Sequence, residues 1–235
     1  MNILNILETA KKKGQKLISV LIDPDKTLVE EVPSICSRIN NAPIDFIFLG
    51  GSTVNKDKTE IIAKEIQKHT SVSIVLFPGD YTHLTNYANA VLLLNLISGN
   101  NPEYLINQQV KAIPFLQKSN LEIISTGYVL VDGETTTSTI KVTQTTAIPQ
   151  QDKEKITHTC VAGQYMGQHV LYLEAGSGAT QPVGKDVVNA VFNSVNIPII
   201  VGGGIRSLKK ITEIHMAGAT LVVIGTAFEK NNIFK

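Results

Sequence analysis

Eight short apolar runs, rich in β-branched residues, punctuate this chain, and amphipathic stretches separate most of them. The runs are Leu17–Ile22, Phe46–Leu49, Ile74–Phe77, Val91–Leu94, Leu121–Ile124, Val170–Leu173, Ile197–Val201 and Leu221–Ile224. A strand with one wet face alternates apolar and polar residues. These runs are nearly continuous, the pattern of parallel strands covered on both faces. The intervening stretches predict helices over Leu28–Asn40, Lys56–His69, Pro102–Lys118, Asp152–Met166, Lys185–Ser194 and Leu208–Ala217. Asn101-Pro102 and Ser207 read as helix starts, and Gly167 and Gly218 as stops. Pro114 should kink its helix or end it early.

Strands alternating with helices mean an α/β fold, and eight repeats favour a closed (β/α)8 TIM barrel over an open doubly wound sheet. Two places depart from regular repetition. Residues 80–89 are too few for a full crossover helix after the third strand. Residues 127–149 are Thr-rich, with Asp132-Gly133 in a hairpin-like position, and read as a strand extension and flap or as a contact between copies. No linker or low-complexity tail interrupts the chain, so residues 1–235 are expected to form a single domain.

Composition narrows the function classes. With 43% hydrophobic and 17% charged residues the chain can build a core, which argues against disorder. A formal net charge of +1 argues against a non-specific nucleic-acid binder. Cys36 and Cys160 stand alone, without a CxxC or a His/Cys cluster, so neither a disulfide framework nor a structural zinc site is expected. The N-terminal segment lacks the order of a secretory signal. The longest apolar run, Ala90–Leu94, is far short of the roughly 18–20 residues that span a bilayer. A cytoplasmic protein is expected, with peripheral membrane contact still open.

In a barrel, chemistry sits on the loops after the C-terminal ends of the strands. Every glycine cluster falls there: Gly50-Gly51 after the second strand, Gly176-Ser177-Gly178 after the sixth, Gly202-Gly203-Gly204 after the seventh, Gly225-Thr226 after the eighth. Glycines let backbone amides approach an anion, and the following helix adds its own N–H groups, so the turns after strands seven and eight predict a phosphate site. Taken singly, they would be no more than tight turns. Asp23 closes the first apolar strand, where an unpaired carboxylate is costly. It is either a ligand for Mg²⁺, with Ser52 as a second oxygen, or a cap or partner for Lys26. Asp25 reads as the cap of a helix beginning near Thr27. Glu174 ends the sixth strand and points at the barrel mouth. It either takes a proton from a substrate hydroxyl or pairs with a nearby cation. The five histidines are scattered and read as structural.

In order, LIDPDK at 21–26, FLGGS at 48–52, FPG at 77–79, GY at 127–128, YLEAGSGA at 172–179, VGGGIR at 201–206 and GTA at 225–227 resemble the geranylgeranylglyceryl phosphate synthase family. The resemblance spans nearly the whole chain. YLEAGSGA is its specific part, whereas GGGIR and GT suit many phosphate-binding barrels. It implies prenyl transfer: the 3-hydroxyl of sn-glycerol 1-phosphate attacks C1 of a prenyl diphosphate, geranylgeranyl diphosphate foremost, giving an ether and pyrophosphate. It further implies Asp23 and Ser52 as Mg²⁺ ligands. Glycerol 1-phosphate would be held by Tyr172, Leu173, Glu174, Ala175, Gly176, Ser177, Gly178, Gly203, Gly204, Gly225 and Thr226, with Glu174 catalytic. A homo-oligomer is expected. An apolar groove should leave the mouth near Phe77–Leu84, Tyr104–Phe115 and Tyr128. The rivals are a sugar-phosphate isomerase or lyase, which needs only a sealed polar pocket, and a non-catalytic phosphate binder.

Overall fold

The computed structural model describes residues 2–51, 57–230 and 233–234. Its eight strands are β1 (Leu17–Ile22), β2 (Phe46–Leu49), β3 (Ser73–Leu76), β4 (Ala90–Asn95), β5 (Glu122–Leu130), β6 (Val170–Glu174), β7 (Ile199–Gly202) and β8 (Leu221–Ile224). All pair in parallel in chain order, and β1 pairs with β8 (Leu17 with Leu221, Val20 with Ile224) to close the barrel. Strand side chains divide between two cores. Phe46, Phe48, Val75, Leu92, Tyr172 and Val223 fill the interior. Their neighbours Ile47, Leu49, Val91, Leu173 and Val222 face the surrounding helices. Burial on both faces is why these strands read as unbroken apolar runs.

Nine helices accompany them among the described residues: α1 (Ile3–Lys13), α2 (Val32–Asn40), α3 (Lys58–His69), α4 (Gln108–Leu116), α5 (Ser138–Thr143), α6 (Lys153–Tyr165), α7 (Lys185–Phe192), α8 (Leu208–Met216) and α9 (Thr226–Lys230). The first was not expected. Asn2 caps α1 by accepting the Asn5 N–H at 2.8 Å, and Gly14 ends it at φ +66°. Its buried Ile3, Leu7 and Ala10 join the interior core. At the start of β5, the Glu122 carboxylate accepts the N–H groups of Ile3 (2.6 Å) and Leu4 (2.9 Å), fixing α1 at the end of the barrel opposite the glycine turns.

The irregular segments shape the mouth. Only a 3₁₀ turn, Tyr81–His83, lies between β3 and β4, so one wall lacks a helix. Before α4 the chain makes a π turn, Glu103–Asn107, started by Asn101, whose side chain accepts the Glu103 N–H at 3.0 Å. Pro114 does not end α4 at once. The helix runs on to Leu116, and the carbonyl that proline leaves free belongs to the exposed Val110. Strand β5 continues six residues beyond Ile124. Asp132-Gly133 is no hairpin: the adjoining bridge, Val131 with Ile148, is parallel. Gly133 instead lies under the loop after β6, its carbonyl accepting the N–H groups of Thr180 and Gln181, both at 3.1 Å.

Candidate active site

A cavity of about 310 Å³ occupies the mouth. At one end are the turns after β6, β7 and β8, with Ser177, Gly178, Gly203, Gly204, Gly225 and Thr226 on its wall. Gly203 and Gly204 take φ +84° and +69°, conformations that L residues avoid. A Cβ on Gly203 would stand 2.5 Å from both Glu174 Oε1 and the Gly176 nitrogen, so the backbones of the two turns touch. Among the described residues no hydrogen bond takes up the N–H of Ser177, Gly178, Gly203, Gly204 or Thr226. These donors remain available to an anion.

Strand alternation sorts the YLEAGSG segment. Tyr172 and Glu174 face inward, whereas Leu173 and Ala175 are buried in the outer core and can meet a ligand only through their backbone. Gly176 lies off the cavity wall, and its N–H is taken by Glu174 Oε1 at 2.6 Å. Burial pushes the Glu174 carboxyl up to about 7, opposed by that N–H and by the nearby Tyr172 hydroxyl. The hydroxyl favours the anion through proximity but lacks hydrogen-bond geometry, so it has no hydrogen-bond partner among the described residues. The Tyr172 ring stacks on Phe77 with centroids 5.0 Å apart, and Tyr128 meets both edge-on at 5.4 and 5.8 Å.

Across the mouth, the Asp23 carboxylate lies on the cavity wall at the end of β1. Its oxygens accept the Lys26 ammonium at 2.6 Å and the Asp25 N–H at 3.1 Å. The expected Lys26 pair is therefore present, on a carboxylate still open to the cavity. A Cβ on Gly51 would be 2.9 Å from Asp23 Oδ1, so the second glycine turn lets β2 close in on the carboxylate. Ser52, the other expected Mg²⁺ ligand, lies outside the described residues. Asp25 caps no helix at Thr27; it pairs with Lys58 at 3.3 Å.

The far end of the cavity is apolar. It runs through the helix-deficient wall, lined by Phe77, Leu84, Leu93, Tyr104, Ala112 and Val142. The expected groove segments do meet there, although Phe115 packs in the outer core instead. Sequence reading missed α5, whose Ser138, Thr139, Val142 and Thr143 form another wall. A Thr-rich stretch was visible, but nothing in it marked a helix over the cavity. Asp80, Gln108 and Gln109 lie within the expected groove segments and add polar groups to this wall. Gln108 ties the two open edges together, donating to Asp80 at 2.9 Å and accepting the Tyr81 N–H at 2.8 Å.

The model of the PcrB family matches residues 10–234. The chain belongs to the PcrB family. Among its relatives, the geranylgeranylglyceryl phosphate synthase of Flavobacterium johnsoniae is 44% identical over 97% of this chain and 94% of its own length. That of Pyrococcus furiosus is 36% identical over 93% of this chain and 87% of its own. The crystal structure of (S)-3-O-geranylgeranylglyceryl phosphate synthase from Thermoplasma acidophilum, in complex with sn-glycerol-1-phosphate, superposes with a TM-score of 0.93. It is 30% identical and covers 100% of this chain and 94% of that one. The barrel is thus a PcrB-family fold.

Proposed function

We propose that this chain is a geranylgeranylglyceryl phosphate synthase, joining sn-glycerol 1-phosphate to a prenyl diphosphate through an ether. The observation that carries the reading is the two-ended cavity. Free backbone N–H groups at one end suit a phosphate, an apolar trench at the other suits a hydrocarbon chain, and Asp23 and Glu174 stand between them. A sugar-phosphate isomerase or lyase would need only a sealed polar pocket. The family names and the glycerol phosphate held by the Thermoplasma acidophilum protein support the prenyltransferase reading.

The phosphate seats on the amides after β6, β7 and β8, which leaves the glycerol hydroxyls toward Glu174. The Glu174 carboxylate orients the 3-hydroxyl toward C1 of the prenyl chain and accepts its proton as the new O–C1 bond forms. The C1–O bond to diphosphate breaks, and pyrophosphate leaves with that electron pair. The allylic carbon becomes positive, so a weakly nucleophilic alcohol suffices when it is held in line. The stacked Phe77 and Tyr172 rings exclude water beside the reacting carbon.

Asp23 is suited to Mg²⁺. Among the described residues, the cavity wall carries Asp23, Asp25, Asp80, Glu174 and Glu229 against Lys26 and Arg206, an acidic excess that repels two anionic substrates unless a cation joins them. No cluster of three or more His, Cys, Asp or Glu residues among the described residues forms an all-protein cage. One or two protein oxygens with substrate phosphates complete a typical Mg²⁺ shell. Bound there, Mg²⁺ neutralises charge on the leaving diphosphate. Asp23 would hold it, displacing Lys26, and Ser52 is the second proposed ligand.

Incubation of the protein with glycerol 1-phosphate, Mg²⁺ and prenyl diphosphates of several lengths tests the reading by mass spectrometry of the products. It predicts a Mg²⁺-dependent ether, best with geranylgeranyl diphosphate. Absence of any ether product with every chain length overturns it.

A further inference from the structure

Arg206 stands in the GGGIR segment with no role in the reaction just described. It lies on the cavity wall, where its guanidinium donates to the carbonyl of Ala179 at 2.9 Å and reaches that of Gly178 at 3.5 Å. Both carbonyls belong to the turn after β6 that presents the free Ser177 and Gly178 amides.

That turn has little intrinsic rigidity. Gly176 and Gly178 sit at φ +101° and +77°, and a Cβ on Gly178 would meet nothing within 4 Å. Hydrogen bonds hold it from three sides. From inside, Glu174 takes the Gly176 N–H. From the outer side, the Gly133 carbonyl accepts the Thr180 and Gln181 N–H groups. Across the gap from β7, the Gly202 carbonyl accepts the Ala175 N–H at 3.1 Å at the base of the turn, and the Arg206 guanidinium holds its far limb at Gly178 and Ala179. The hydrogen bonds also connect. Arg206 reaches Gly178 O; the same peptide's N–H, on Ala179, donates to Gly176 O at 3.1 Å. The N–H of that second peptide is Ser177's, which faces the cavity unpartnered. Successive peptide dipoles in such a chain polarise one another, so a cation at its head strengthens the donor at its tail.

We propose that Arg206 is a positioning residue for glycerol phosphate, clamping the β6 turn against the β7 turn so that the Ser177 and Gly178 amides converge with those of Gly203 and Gly204 on one phosphate. The proposal rests on the function argued above, and the test keeps the two separable. Arg206 is exposed, so its removal should leave the barrel folded.

The affinities of wild type, Arg206→Ala and Arg206→Lys for glycerol 1-phosphate and for inorganic phosphate are measured by calorimetry, alongside KM for each substrate and Tm. In Arg206→Ala, Kd and KM for glycerol 1-phosphate should rise about ten-fold, the effect of one charge-assisted hydrogen bond. KM for the prenyl diphosphate should stay within about two-fold, because the trench does not share this contact. Lysine can serve one carbonyl but not fork to two, so Arg206→Lys should fall between the two, and added guanidinium should partly restore the alanine variant. Unchanged glycerol phosphate affinity in a folded Arg206→Ala protein overturns the proposal. So do equal losses for both substrates, which would mark a general loosening. A wild-type protein that binds inorganic phosphate but not glycerol 1-phosphate overturns the substrate reading alone, and the phosphate affinities of the variants still decide the role of Arg206.

Discussion

Replacing Glu174 by glutamine and by alanine separates the two things its carboxyl does. Glutamine keeps the oxygen that accepts the Gly176 N–H at 2.6 Å but cannot take a proton. Alanine loses both and leaves a buried N–H without a partner, a cost of about 1–3 kcal/mol. Glu174→Gln should therefore lower kcat about 10²-fold, the lower end for a general base, because the allylic carbon is already electrophilic. Glu174→Ala should match that loss and weaken glycerol phosphate binding as well, by roughly 5- to 150-fold if the whole cost falls on the turn. The carboxyl sits near 7 in the free protein. Wild-type kcat/KM for glycerol phosphate should accordingly rise through an acid limb centred near pH 7, and Glu174→Gln should lack that limb. The same group has a stability signature of definite sign. Its pKa is raised on folding from 4.5 to about 7, so the folded state holds the proton more tightly, and wild type loses stability as pH rises through that window. Glu174→Gln, neutral throughout, should gain on wild type by roughly 3 kcal/mol between pH 4 and pH 8. Steady-state kinetics and urea titrations across pH read both effects. A glutamine variant that keeps the pH 7 limb and near-normal kcat would refute the role of Glu174 as base.

Asp23→Asn should abolish turnover while calorimetric binding of glycerol 1-phosphate persists, since Asp23 lies across the mouth from the phosphate turns; loss of that affinity in a folded variant would contradict the division. Gly203→Ala forces an L residue into φ +84° with its Cβ 2.5 Å from Glu174 and Gly176. The backbone term alone is about 1–2 kcal/mol, so glycerol phosphate affinity should fall about ten-fold or more, and an unchanged Kd would remove the phosphate assignment. Glu122→Ala frees the first amides of α1 and should cost about 2 kcal/mol, a Tm drop of roughly 4–8 °C, with kcat unaltered. A change in kinetics without a change in Tm would mean that α1 does more than close the barrel.

The barrel was legible because burial on both faces strips polar residues from its strands, and glycines mark the turns after β2, β6, β7 and β8. What stayed hidden depends on contacts distant in sequence. Ser125, Thr126 and Gly127 look like the end of a strand, yet β5 runs through them because partners exist elsewhere: Ser125 donates to Gln168 at 2.8 Å, and Thr126 and Gly127 pair with Val170 and Leu171 of β6. Helix α1 was obscured because the capping carboxylate, Glu122, lies more than a hundred residues away. Asp132-Gly133 carries a hairpin signal, but Gly133 is needed for close approach: a Cβ there would be 2.7 Å from that of Ala179. Within YLEAGSG the motif alone could not separate inward from outward side chains. Strand register did, turning Tyr172 and Glu174 to the cavity and Leu173 and Ala175 away from it.

The most direct measurement follows the nucleophilic oxygen. Glycerol 1-phosphate labelled with oxygen-18 at its 3-hydroxyl is turned over with geranylgeranyl diphosphate and Mg²⁺, and both products are weighed by mass spectrometry. Attack of that hydroxyl on C1 predicts an ether that retains the whole label and a pyrophosphate that carries none. Label in the pyrophosphate, or pyrophosphate released without any ether, would contradict prenyl transfer at this site.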